Sequence, residues 1–340
     1  MIARVRFLKS FFLAVLIVVG TTLAIGGEQE TTSTASGSQK VEWLGVEVVT
    51  DKPALAQEIR GKIPLPAHTV LDFPGDARYK QWCDAVRAAY PKAAVSCSSI
   101  LVEGAKGYYV VQVEFVPTRS RKDTCDPQAP KLSPQLRAAS DHFIELLQAS
   151  LMKGPSDGVA YREFVNDQEF LDYADAHLHK FAVSTHGEVR AHLHEVLAST
   201  KVCDAGDRSA AVQLMNWSGD TSANIRIGAD GILDQDEGVR NSSTRLIGVF
   251  MGKLGNSTSV EPLVRTLCVQ LGYTSFSDRD KAVNALLALA DQHPSSRKTI
   301  RAGCEPLIRQ RASDGESISP QIQGSAANLL TLLSGSASSR

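Results

Sequence analysis

The chain has 340 residues, 43% hydrophobic and 21% charged, with a formal net charge of -1. That balance supports ordinary buried cores in about two domains and excludes a fibrous or wholly disordered polypeptide. It also excludes the basic surplus that nucleic-acid binding demands, the more so because without residues 1–26 the net charge is -4.

Arg4, Arg6 and Lys9 precede an apolar run from Phe11 to Ile25, the order of charge and then apolar residues that marks a secretory signal. Small residues at Ala24 and Gly26 predict cleavage after Gly26; residues 1–26 are thus a signal peptide or, uncleaved, an N-terminal anchor that keeps the chain near a membrane. Either way the expected location is the periplasm or cell envelope. Residues 27–40 are dominated by Thr, Ser, Gly and Gln and read as a flexible tether. Six cysteines, none in a C-x-x-C pair, suit disulfides in an oxidising compartment rather than a zinc ribbon or a redox motif.

Val41 to Thr50 is Val-rich with a Trp and predicts a strand; Asp51-Lys52-Pro53 then starts a helix that runs to Gly61. Tyr79, Trp82, Cys83, Val86, Ala89 and Tyr90 recur at helical spacing within Asp76 to Tyr90, and Pro91 ends that helix. Strands are predicted at Ala94–Val102 and Tyr108–Val116. Cys83 and Cys97 fall on the second helix and the following strand across one short turn, so a disulfide is expected between them. The order strand, helix, helix, strand, strand over 41–117, with Ala88-Ala89-Tyr90-Pro91 closing the second helix and Tyr108 to Glu114 as the last strand, resembles a POTRA-type (polypeptide-transport-associated) module. The resemblance implies an α+β unit that can accept a partner's strand at its sheet edge.

Residues 118–134, proline-bearing and carrying Arg119, Arg121 and Lys122, read as a solvated linker. Leu136 to Met152 is amphipathic, and from Phe170 the pattern is helical almost throughout. Helices at 208–217, 239–250, 281–290 and 322–333 each combine small residues with a Leu-rich stripe; aligning Leu214, Leu246, Leu286 and Leu329 gives spacings of 32, 40 and 43 residues, the length of a helical hairpin in a repeat array. Partner helices fit the gaps at about 187–199, 221–233, 260–271 and 297–311. With Asp236-Glu237-Gly238-Val239-Arg240 and Asp278-Arg279-Asp280-Lys281-Ala282 opening two of these helices, the stretch from about 165 to 335 looks like HEAT-repeat proteins, and is similar to exported ones without an assigned activity. The resemblance implies an all-α, armadillo-like solenoid over 135–335 with a short tail at 336–340. Cys268 and Cys304, 36 residues apart on the first helices of successive hairpins, are expected to form a disulfide; the pairing of Cys125 and Cys203 stays open.

Five of the eight histidines lie between His177 and His194, but His-Leu-His spacing on a helix points the two rings to different sides. Gly154-Pro155-Ser156-Asp157-Gly158 matches G-x-S-x-G without the strand before it that a nucleophile elbow needs. The acidic run Asp230 to Glu237 lacks the ligand order of a calcium loop, and Asp236 suits capping of the helix at Val239. No cofactor fingerprint or catalytic arrangement appears. The expectation is a non-enzymatic scaffold that holds a protein or peptide of the cell envelope, with Arg240, Asn241, Arg245, Arg279, Lys281 and Asn284 on its partner-contact face. The alternative is an exported metal-dependent enzyme or metal sensor built on His177–His194.

Overall fold

The computed structural model describes residues 39–102, 105–116, 125–153, 163–254, 260–313 and 320–335. The expected signal segment, most of the tether, Arg119, Arg121, Lys122, Gly154 to Gly158 and the tail lie outside the described residues.

An α+β region comes first. Strand β1 (Gln39–Thr50) leads through a 3-10 turn at Pro53–Leu55 into α1 (Ala56–Arg60), β2 (Thr69–Phe73), α2 (Arg78–Ala89), β3 (Ala94–Val102) and β4 (Lys106–Glu114). The sheet order is β2-β1-β4-β3, with β1 and β4 parallel and the other pairs antiparallel. The expected order of strand, helix, helix, strand, strand is therefore corrected: β2 is inserted between the two helices and pairs with the first half of β1. The tether is corrected too, because Gln39 and Lys40 already belong to β1.

Side chains alternate across a strand, so a sheet with apolar residues at both parities must be covered on both faces. One face sends Trp43, Val48, Tyr109, Val111 and Val113 against Ile59, Trp82 and Val86. The opposite face sends Val49, Ile100 and Val110 into the core of the C-terminal helices. The pairing of β1 with β4 shifts between Trp43 and Gly45. That extra residue lets Trp43 and Val46 point the same way, which strict alternation forbids.

The helical part begins with α3 (Pro134–Lys153), followed by a hairpin of β5 (Glu163–Val165) and β6 (Leu171–Tyr173). The helical pattern expected from Phe170 is corrected here: Leu171–Tyr173 is a strand, and the helices resume at Ala176. Then come α4 (Ala176–Ala191), α5 (Leu193–Ser199), α6 (Ala205–Leu214), α7 (Thr221–Gly231), α8 (Glu237–Phe250), α9 (Glu261–Leu271), α10 (Phe276–Gln292), α11 (Ser296–Ser313) and α12 (Pro320–Ser334). Helices α6, α8, α10 and α12 pack side by side in that order; α7 packs on α8, α9 on α10 and α11 on α12, and α9 contacts α11. Leu214, Leu246, Leu286 and Leu329 are all fully buried between these layers. Among the described residues no helix is long and apolar enough to cross a membrane.

The expected linker is partly built into this body. Cys125 is bonded to Cys203, with Cα atoms 4.7 Å apart. Asp126 N donates to Lys201 O, Ser199 Oγ to Pro130 O and Ser133 N to Glu195, while Leu132 is buried. Cys83–Cys97 and Cys268–Cys304 are also bonded, with Cα separations of 6.0 and 5.4 Å. The last of these staples α9 to α11.

Candidate functional site

Capping fixes the register of the second helices. Asp204, Asp236 and Ser275 accept the backbone N–H of Asp207, Val239 and Asp278 respectively, each three residues on. Four residues after each cap stands an arginine, and each reaches back to the carbonyl six residues before it: Arg208 to Val202 O at 2.5 Å, Arg240 to Asp234 O at 2.8 Å and Arg279 to Tyr273 O at 2.7 Å. Arg208, Arg240 and Arg279 are thus equivalent, which moves the α10 partner of Leu246 from Leu286 to Ala285.

These arginines are structural. Arg208 grips both oxygens of Asp234 at 3.0 Å, and Arg240 grips Asp278 at 2.7–3.0 Å, with all four side chains at most 2% exposed. Desolvation works against the Arg240 charge, but Asp278 outweighs it and holds the guanidinium above its ordinary value. The expected partner-contact face is corrected accordingly: Arg240 and Arg279 are buried, because an arginine in the first helical turn is consumed by its own loop. Lys281 is buried as well.

The same register brings a different set together. Counting five and nine residues from each cap gives Ser209 and Gln213 on α6, Asn241 and Arg245 on α8, and Asp280 and Asn284 on α10. On α8 this line lies opposite α7, which packs through Gly228 and Gly231 onto Ser243 and Ile247. The result is a polar row of two side chains per hairpin, running on to Ser325 of α12, whose Oγ donates to Asn284 Oδ1 at 2.8 Å. Asn284 Nδ2 donates to Asp280 Oδ1 at 3.0 Å, and Ser209 Oγ lies 3.0 Å from Ser242 Oγ. Gln213 donates to Ser140 O of α3. Asn241, Arg245 and Asn284 of the expected face lie on this row, the Arg245 side chain only 10% exposed.

Charge concentrates at its centre. Arg245 meets Glu163 of β5 at 2.5 Å, the two side chains being 10% and 13% exposed. Lys281 feels Asp280, Arg245 and Glu163 together, and burial pulls its ammonium down from the usual lysine range. Burial also pushes the Asp280 carboxyl up, against the opposing pull of Lys281. Asp280, Ser325, Glu163, Ser209 and Gln213 were not found by sequence reasoning. The caps Asp204, Asp236 and Ser275 would have located the last two.

The other motifs are absorbed by the fold. His179 pairs with Asp172 at 2.7 Å, His186 bonds Trp217 O and stacks on Phe170, and His192 lies 3.7 Å from Glu195. The histidines are dispersed, and among the described residues no group of three His, Cys, Asp or Glu side chains is placed to hold a metal. Asp234 and Asp236 of the acidic run serve as ion-pair partner and cap. A second polar joint fixes the sheet to the helices: Gln112 of β4 accepts from Phe276 N at 2.6 Å and donates to Ser96 and Glu237, and Glu237 also accepts from Ser275 and Ser277. Each of its donors is matched, as structural buried polar groups are. The chain matches no known family model, no curated protein and no solved structure.

Proposed function

We propose that the chain is a non-enzymatic interaction scaffold of the cell envelope that holds a protein or peptide along the polar row of α6, α8, α10 and α12. The observation that carries this reading is the repetition itself: two polar side chains recur at equivalent positions in successive hairpins, and on α8 they lie on the side away from α7. Stacked hairpins bury their apolar faces in one another and leave such a face for a ligand that spans several units. On this reading the helical part is a HEAT-type solenoid. The α+β region is a POTRA-like module with β2 added. Three disulfides fit an oxidising compartment outside the cytoplasm, and export through residues 1–26 is the proposed route.

Asn284→Trp tests the proposal by placing a bulky ring on the row. Wild-type chain isolated from its native envelope after mild crosslinking is expected to carry a defined partner, and the variant to lose at least 90% of it while keeping its helical circular dichroism. Undiminished recovery by a folded variant would move the binding face elsewhere.

A further inference from the structure

We infer that Cys125–Cys203 is an exchangeable disulfide: a dithiol reductant of the envelope opens it and frees the strap of residues 125–131, while the other two bonds stay closed. The inference goes beyond the scaffold reading and does not rest on it.

The three bonds differ in access. Cys268 and Cys304 are both buried between α9 and α11. Cys83 is buried on α2, and its partner Cys97 on β3 is half-buried. Cys203, by contrast, is exposed, with Cys125 half-buried beside it. Exchange begins when a thiolate reaches a disulfide sulfur, so access decides which bond opens first.

The two ends of this bond are also held differently. Cys203 lies in the loop between α5 and α6, which the fold fixes twice: Arg208 donates to Val202 O at 2.5 Å from within its buried pair with Asp234, and Asp204 caps α6. Cys125 begins a strap of which none of residues 126–131 is buried, and Leu132 is the first to enter the core. Between these ends the strap is held by Asp126 N, which donates to Lys201 O, and by Pro130 O, which accepts from Ser199 Oγ. Water can replace both hydrogen bonds once the sulfurs part. Opening therefore moves the strap and uncovers Ser199, which is fully buried against Pro130, while Cys203 stays on the body.

The exchange balances as follows. One reductant thiolate attacks the Cys203 sulfur, forming a mixed disulfide there, and Cys125 leaves as a thiolate that takes up a proton. The second reductant thiolate attacks its own partner sulfur in that mixed disulfide, closing the reductant's internal disulfide and releasing Cys203. The chain gains two electrons and two protons, and the dithiol loses them.

The test uses the full chain. Dithiothreitol at neutral pH without denaturant, followed by iodoacetamide and peptide mass spectrometry, is expected to label Cys125 and Cys203 at least tenfold faster than Cys83, Cys97, Cys268 and Cys304. Reduction should also raise trypsin cleavage after Lys131, exposed on the strap, at least tenfold. The double variant C125S/C203S should show that cleavage without reductant. In native envelope quenched with acid before alkylation, a thiol fraction is expected at Cys125 and Cys203 alone. Labelling of all six cysteines at one rate, cleavage unchanged by reduction, or a fully oxidised Cys125–Cys203 pair in the envelope overturns the inference. These three readouts use the wild-type chain, so they decide the matter even if the double variant does not fold.

Discussion

At the scale of residues, the same side-chain type does opposite work depending on what surrounds it. Arg240 and Asp278 are 2% and 0% exposed, and removing one partner leaves the other charged in the interior. Arg240→Met is therefore expected to cost about 3–5 kcal/mol of unfolding free energy in urea titration. Arg309, 64% exposed beside Glu305, should cost at most about 1 kcal/mol when changed to Ala, because water screens that pair and its side-chain ordering offsets the attraction. A loss below 1 kcal/mol for Arg240→Met would mean the pair is solvated in solution. This contrast explains what was legible. That Arg240, Arg279 and Lys281 belong to the second helices could be read from the sequence, but their burial could not. Charged residues default to the surface, and the partner of Arg240 stands 38 residues away.

At the scale of elements, the α7–α8 contact shows sterics overruling propensity. Ala is worth about 1 kcal/mol more than Gly inside a helix. A Cβ at Gly228 would, however, lie 2.6 Å from Ile247 Cγ1 and 2.9 Å from the Ser243 carbonyl, and the carbonyl cannot rotate away. Gly228→Ala should destabilise by about 1–3 kcal/mol net of the propensity gain. A higher thermal midpoint for the variant would show that the two helices are not so closely apposed. The pairs from α7 to α12 were legible because their apolar stripes span whole turns, but the single helix expected at 187–199 is divided between the end of α4 and α5. The Cys268–Cys304 bond was legible because its separation is close to one hairpin. Strands β2, β5 and β6 were not legible: at five, three and three residues they are too short to display an alternation. The slip between Leu286 and Ala285 arose because both neighbours are apolar and buried, and only the cap at Ser275 separates them.

At the scale of the molecule, the sheet and the helical array share a core, and Gln112 and Glu237 tie the sheet to the start of α8 and α10. That contact was not legible, since both faces of a Val-rich strand look alike until the second layer is placed. It leaves the row of α6, α8, α10 and α12, capped by α3 at one end and by β5 at the centre, as the surface on which the functional account stands. The most direct test is site-specific photocrosslinking in the native envelope, with the photoreactive residue placed in turn at Asn241, Asn284 and Ser325 on the row, and at Arg226, Arg265 and Lys298 on the first helices. The account expects one partner band from the three row positions and none from the other three; the same band from Arg226, Arg265 and Lys298, with the row silent, would contradict it.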